Sequence, residues 1–93
     1  MTEENIAINW FSRQMKRKME ENSYKGGWGD DSFKGLLESL VEEIEELRGA
    51  LINGNKQDII DEAADVANYA MMIADNRRKQ HEAHSQTYKK DKG

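Results

Sequence analysis

Four acidic residues stand in two pairs with the same spacing. Glu43 and Glu46 are three positions apart, and so are Glu62 and Asp65. In a helix this spacing places both members of a pair on one face, one turn apart. Carboxylates crowded beside an apolar core repel one another and are costly to desolvate, and a hard divalent cation such as Mg²⁺ relieves both effects. The two pairs therefore predict a metal site with Glu43, Glu46, Glu62 and Asp65 as ligands.

A plainer interpretation of these acids is a solvated helix face. Glu-rich helices are common, and the run from Glu42 to Glu46 taken alone fits that description. The second pair, at the same spacing on another segment, favours the metal site. Glu45 and Asp61 point away from the paired acids and are predicted to lie on the surface.

Three amphipathic helices are predicted to carry these residues. Apolar side chains recur every three or four positions over about residues 2–21, 33–53 and 56–80. On the first helix Trp10 and Phe11 belong to this apolar stripe and are predicted to be core residues. The stripe of the second helix consists of Phe33, Leu36, Leu37, Leu40, Ile44, Leu47 and Leu51.

Local signals mark the helix ends. The glycine-rich segment 22–31 is predicted to be a loop, and Asp30, Asp31 or Ser32 can cap the second helix. Gly54 is expected to end that helix in a left-handed conformation, and Asn55 to cap the third. The short connection forces an antiparallel hairpin. Because three short helices enclose little volume, we expect an all-α homo-oligomer in which hairpins from two chains form a four-helix bundle.

Composition narrows the class of protein. The chain has 93 residues, no cysteine and no proline, which predicts one domain without disulfides. Residues 1–76 hold 16 acidic and 8 basic residues, a net charge of −8, which argues against a nucleic-acid-binding surface. No signal peptide or membrane span is evident, so a cytoplasmic location is expected. We predict a domain over residues 1–81 and a basic, flexible tail over residues 82–93.

The acidic motifs resemble a known family. Glu42-Glu43-x-x-Glu46 followed by Glu62-x-x-Asp65 is similar to the signature of all-α nucleoside triphosphate pyrophosphohydrolases, the MazG-like enzymes and dimeric dUTPases. The flanking segments "LLESLVEEIEELRGAL" and "DIIDEAADVANYAMMIAD" fit the same pattern, and the likeness covers about residues 10–76. In its short length, the chain resembles phage-type members of the group.

The resemblance implies an activity and roles for residues. Such enzymes cut a nucleoside triphosphate to the monophosphate and pyrophosphate. Glu43, Glu46, Glu62 and Asp65 would be the Mg²⁺ ligands, with Mn²⁺ as a substitute, and Glu42 would be the base or water-orienting residue. A purine deoxynucleotide, dGTP or dATP, would be the substrate, and a dimer or a dimer of dimers the assembly.

Other residues are candidate substrate contacts. Lys25 and Trp28, in the "KGGW" segment, could hold phosphate and stack on a base, although a plain loop with Trp28 on the core is an equal alternative. Asn68 could bind sugar or phosphate, and Lys34 could bind phosphate. Further weak phosphate candidates are Arg77, Arg78 and Lys89. His81 and His84 are interpreted as solvated residues of the tail rather than metal ligands.

Three other functions stay open at this point. The chain could hydrolyse a pyrimidine triphosphate such as dUTP or dCTP within the same superfamily. It could be a nucleotide or Mg²⁺ sensor without turnover. Finally, it could be a helical interaction module whose acids are only surface charges.

Overall fold

The computed structural model describes residues 2–22 and 27–92, with side chains through residue 80. It contains three helices, α1 (Glu3–Asn22), α2 (Phe33–Asn53) and α3 (Lys56–Lys92), and the described residues form no strand. The all-α class is thus confirmed, as are both ends of α2. No helix in the described ranges is long and apolar enough to cross a bilayer.

Side chains at the starts of α2 and α3 accept hydrogen bonds from backbone N–H groups that have no partner within the first helical turn. Ser32 is the N-cap of α2, and its hydroxyl accepts a hydrogen bond from the Gly35 N–H at 3.0 Å. Asn55 Oδ1 accepts from the Asp58 N–H at 2.9 Å, and Asp58 Oδ2 accepts from the Asn55 N–H at 3.3 Å. This reciprocal pair is a capping box, and it confirms Asn55 as the cap of α3.

Two boundary predictions were wrong. Gly54 has φ −86° and ψ 166°, which is extended rather than left-handed backbone. Glycine is needed there because a Cβ would lie 2.8 Å from the Ala50 carbonyl oxygen. The helix predicted to end near residue 80 continues to Lys92. No proline or glycine interrupts residues 56–92, so nothing local stops it. The flexibility of the segment 82–93 stays a prediction.

The central helix is α3, which packs against both α1 and α2. No Cα atom of α1 comes within 8 Å of one in α2. The buried face of α3 is unusually polar: Asp65, Asn68 and Asn76 lie among the apolar Ala64 and Met72. Asp65 and Asn68, which follow Glu62 at successive steps of three, therefore point into the helix contacts.

The apolar stripe predicted for α2 is divided between two faces. Leu36 of that stripe is buried against α3, and so is Ala50, which the predicted stripe did not include. A neighbouring face stays open, and we call it the α2 stripe; it consists of Leu37, Val41, Ile44 and Leu51, which are 54, 51, 42 and 63% exposed. Trp10 was predicted to be a core residue and is instead 40% exposed, with its ring 6.1 Å from that of the half-buried Phe11.

Candidate functional site

The paired acids converge between α2 and α3. Each of Glu43, Glu62 and Asp65 has a carboxylate oxygen within 4.8 Å of the others. Glu46, on the exposed edge of the group, interacts with the carboxyl groups of Glu43 and Glu62. Helical spacing within each helix and antiparallel packing between them produce this meeting. We call Glu43, Glu46, Glu62 and Asp65 the carboxylate cluster.

Burial makes the cluster electrostatically unusual. The pKa of Glu43 is raised to about 8. The larger cause is desolvation by burial, and the second is the nearby carboxyl group of Glu46. The same two causes raise the pKa of Glu62. One oxygen of each, Oε2, is buried without a hydrogen-bond partner among the described residues. Buried carboxylate oxygens without donors fit a hard cation, which prefers oxygen ligands and removes the repulsion. Glu43, Glu62 and Asp65, with Glu46 at the edge, could therefore hold Mg²⁺ or Mn²⁺.

Asp65 is contacted from α1 as well as from α2. Asn22 Nδ2 donates to Asp65 Oδ1 at 3.3 Å, and Lys18 Nζ lies 3.8 Å from Oδ2. Burial raises the pKa of Asp65, although Lys18 and Asn22 act in the opposite direction. No local pattern in the sequence indicates these two residues, because their role depends on which face of α1 meets α3.

Three other acidic residues that the motifs contain or adjoin lie outside the carboxylate cluster. Glu42, predicted to be the base, is exposed on α2 and is absent from the converging group; its role stays a prediction. Glu45 is a surface residue, and its carboxylate lies 3.3 Å from Arg48. Asp61 is more than a surface charge, since it is half-buried and forms an ion pair with Arg17 that joins α3 to α1.

The loop before α2 contacts α3 through Trp28. Asn76 Nδ2 donates to the Trp28 carbonyl at 2.9 Å, and Lys79 Nζ lies 5.9 Å from the indole centroid. The indole Nε1 is buried and has no partner in the described structure. Trp28 thus has a packing role, and its stacking on a base stays a prediction. Lys25 lies outside the described residues.

The remaining substrate candidates occupy different environments. Asn68 is 1% exposed, and its amide nitrogen donates to the Met15 carbonyl of α1 at 2.9 Å, so it contributes to helix packing. Lys34 is exposed in the first turn of α2. Arg77 is exposed, and Arg78 lies 2.6 Å from Asp75. The side chains of His81, His84 and Lys89 are outside the described part of α3.

A cleft that the sequence did not predict lies along the groove above the carboxylate cluster. Its volume is about 300 Å³, and its lining residues are Asp31, Ser32, Gly35, Leu36, Ser39 and Tyr69. Ser39 precedes Glu43 by four positions and Tyr69 follows Asp65 by four, so each lies one helical turn from a cluster residue. Because α2 and α3 are antiparallel, both turns lead in the same direction. These i, i+4 relationships were the available sequence signal.

Comparison with known proteins agrees with the acidic motifs. Residues 9–89 match the family described as phosphoribosyl-ATP pyrophosphohydrolase. An uncharacterized protein of Archaeoglobus fulgidus is 36% identical over 62 residues, which are 67% of each chain. No solved structure matches the chain. The family match confirms the resemblance to all-α pyrophosphohydrolases.

Proposed function

The chain belongs to the phosphoribosyl-ATP pyrophosphohydrolase family and is a nucleotide pyrophosphohydrolase, and from this premise we propose that it converts a purine nucleoside triphosphate to the monophosphate and pyrophosphate with Mg²⁺. The observation that carries the proposal is the carboxylate cluster, three of whose members bring oxygens within 4.8 Å of one another. One helical turn from this group, the described residues form a cleft of about 300 Å³, which we assign to the rest of the nucleotide.

In this reaction the carboxylates would serve to bind the metal ion. Glu43, Glu62 and Asp65 would bind Mg²⁺, with Glu46 completing the set from the exposed edge. When bound, Mg²⁺ would neutralise phosphate charge and activate a water molecule. The water oxygen would bond to the α-phosphorus as the bond from that phosphorus to the bridging oxygen breaks. Glu42, adjacent in sequence to the ligands, would accept the proton of the water.

The cleft would receive the nucleoside. Ser32 and Ser39 offer hydroxyl groups, Asp31 offers an acceptor, and Leu36 and Tyr69 offer apolar and aromatic surface. With phosphates at the cluster, the sugar and base would extend one turn along the groove toward the start of α2. Lys34 lies exposed in the first turn of α2, so in this pose it is at the nucleoside end of the groove and not at the phosphates.

Two classes of purine substrate, the purine deoxynucleoside triphosphates and phosphoribosyl-ATP, are favoured by different observations. The short chain resembles phage-type enzymes that act on dGTP or dATP. The family description names phosphoribosyl-ATP, a larger adenine nucleotide with the same triphosphate. Both present the cluster with the same anhydride, so one site accommodates either reaction.

We further propose that the active form is a homo-oligomer in which the α2 stripe contacts a second copy. Only four apolar residues, Leu36, Ala50, Ala64 and Met72, are buried within the described chain. The α2 stripe remains open along the same helix that carries Glu43 and Glu46. A second hairpin placed on it would complete a four-helix bundle and exclude water from these side chains.

The test is a turnover panel. Phosphoribosyl-ATP and all eight common NTPs and dNTPs are incubated with Mg²⁺ in ¹⁸O-labelled water, and the products are identified by mass spectrometry. We expect monophosphate carrying the label, unlabelled pyrophosphate, and the fastest turnover with a purine substrate. Faster turnover of dUTP or dCTP would overturn the purine assignment.

Matched variants connect turnover to the cluster. Glu62→Gln should lose activity by several orders of magnitude, whereas Glu45→Gln, an acid on the opposite face of α2, should retain it. Binding without turnover of any nucleotide would indicate a sensor. Absence of thermal stabilisation by Mg²⁺ and nucleotide together would indicate an interaction module.

A further inference from the structure

The end of α1 contacts both oxygens of one carboxylate in the cluster. Lys18 and Asn22 are four positions apart, so they share a face of α1. Asn22 Nδ2 donates to Asp65 Oδ1 at 3.3 Å, and Lys18 Nζ lies 3.8 Å from Oδ2. Asp65 is only 9% exposed, Lys18 is half-buried and Asn22 is exposed, so the Lys18 contact is the more shielded of the two.

From this arrangement we propose that Lys18 and Asn22 are positioning residues, which orient the Asp65 carboxylate so that it can bind the metal ion. The inference rests on the proposed function, because Asp65 must be a metal ligand. A carboxylate offers two oxygens with two lone pairs each. The Asn22 hydrogen bond at one oxygen and the Lys18 charge near the other restrain rotation of the group, and lone pairs remain on both oxygens for a cation.

The environment of Lys18 supports positioning rather than chance proximity. Its side chain is 16% exposed, and its ammonium group also lies 3.1 Å from Glu21. Two carboxylates, those of Glu21 and Asp65, therefore share the Lys18 ammonium group. Residues that orient metal ligands typically change metal affinity 10- to 100-fold when removed.

A neighbouring ion pair provides a matched control. Arg17 pairs with Asp61, and this contact joins α1 to α3 without reaching the carboxylate cluster. If Lys18 and Asn22 only hold the two helices together, removal of Arg17 should affect the metal site in the same way. If they orient Asp65, the Arg17 variant should differ from theirs.

The experiment measures Mn²⁺ binding to the full chain without nucleotide, by electron paramagnetic resonance of free Mn²⁺. We expect Asn22→Ala and Lys18→Met to weaken binding about 10- to 100-fold, and Lys18→Arg to restore most of it. Arg17→Met should lower the melting temperature yet bind Mn²⁺ within about twofold of wild type, since the helix end still orients Asp65.

The outcomes separate the competing explanations. Lys18→Met removes a positive charge from the site. If Lys18 only repels the metal ion, this variant should bind Mn²⁺ more tightly than wild type, and that result would overturn the proposal. Equal weakening in Arg17→Met would overturn it in favour of helix docking. Unchanged binding in Asn22→Ala and Lys18→Met, with binding lost in Glu43→Gln, would reject positioning and leave the proposed function standing. No Mn²⁺ binding by wild type would overturn both.

Discussion

Glu43 on α2 and Glu62 on α3 face each other across the groove between two antiparallel helices, and each has a buried Oε2 atom without a hydrogen-bond partner in the described structure. Two such acids destabilise a protein that uses them only for folding, because each buried oxygen loses water and gains no donor. The arrangement is understandable if the protein uses them to bind a cation.

The first prediction concerns the pH dependence of metal-free stability. The pKa of Glu43 is raised to about 8, mainly by burial and then by Glu46. A raised carboxyl pKa makes ionisation unfavourable in the folded state, so the penalty is absent below the unfolded pKa and complete above about 8. The melting temperature in EDTA should therefore fall between pH 5 and pH 8.5.

Variants at Glu43 test the origin of that slope. Glu43→Gln should flatten it and leave the metal-free protein at pH 8 as stable as wild type or more stable, because the amide cannot ionise and is not repelled by Glu46. The control is Glu45→Gln, since Glu45 is exposed and pairs with Arg48. The pKa values of Asp61 and Asp75 are lowered, so these two groups change the stability only at lower pH and do not contribute to the slope between pH 5 and pH 8.5. A Glu43→Gln variant that melts well below wild type in EDTA would contradict the prediction.

The second prediction separates the roles of Glu42 and the cluster. Glu42 is exposed and is not part of the converging group, so Glu42→Gln should leave Mn²⁺ affinity unchanged. If Glu42 accepts a proton from the attacking water, kcat should fall about 10²- to 10⁴-fold. Single-turnover kinetics beside a Mn²⁺ titration would measure both. An unchanged kcat would remove Glu42 from the mechanism.

The third prediction concerns the α2 stripe. Val41 is 51% exposed, so Val41→Glu should be nearly neutral for a monomer but should disrupt an interface built on this face. Light scattering should show an oligomer for wild type and a 10.7 kDa monomer for the variant. Gly49→Glu adds the same charge on another face of α2, where the space is open, and should remain oligomeric. A monomeric wild type would contradict the proposed assembly.

The fourth prediction compares two glycines of the hairpin. At Gly49 an added Cβ meets no atom within 4 Å, so Gly49→Ala should stabilise the helix by about 0.5–1 kcal/mol. At Gly54 a Cβ would lie 2.8 Å from the Ala50 carbonyl oxygen and 3.1 Å from the Asp58 Cβ. Gly54→Ala should therefore lower stability by about 1–3 kcal/mol. Thermal melts of both variants in one buffer would check the opposite signs.

The sequence alone was sufficient for features that depend on local spacing. The i, i+3 pairs Glu43–Glu46 and Glu62–Asp65, the bounds of α2 and the cap at Asn55 follow from helical period and side-chain reach. Their convergence was also predictable, because the two-residue connection leaves α2 and α3 only an antiparallel arrangement. The family resemblance rested on the same local motifs.

Tertiary structure decided which faces meet. Three features join residues that are distant in sequence. They are the contacts from Lys18 and Asn22 to Asp65, the hydrogen bond from the buried Asn68 to α1, and the cleft beside Tyr69. Periodicity gave α2 one broad apolar stripe, but packing against α3 buried Leu36 and left Leu37 open. The physical reason is that helical period determines which side chains share a face, whereas the free energy of packing between helices selects the face that is covered.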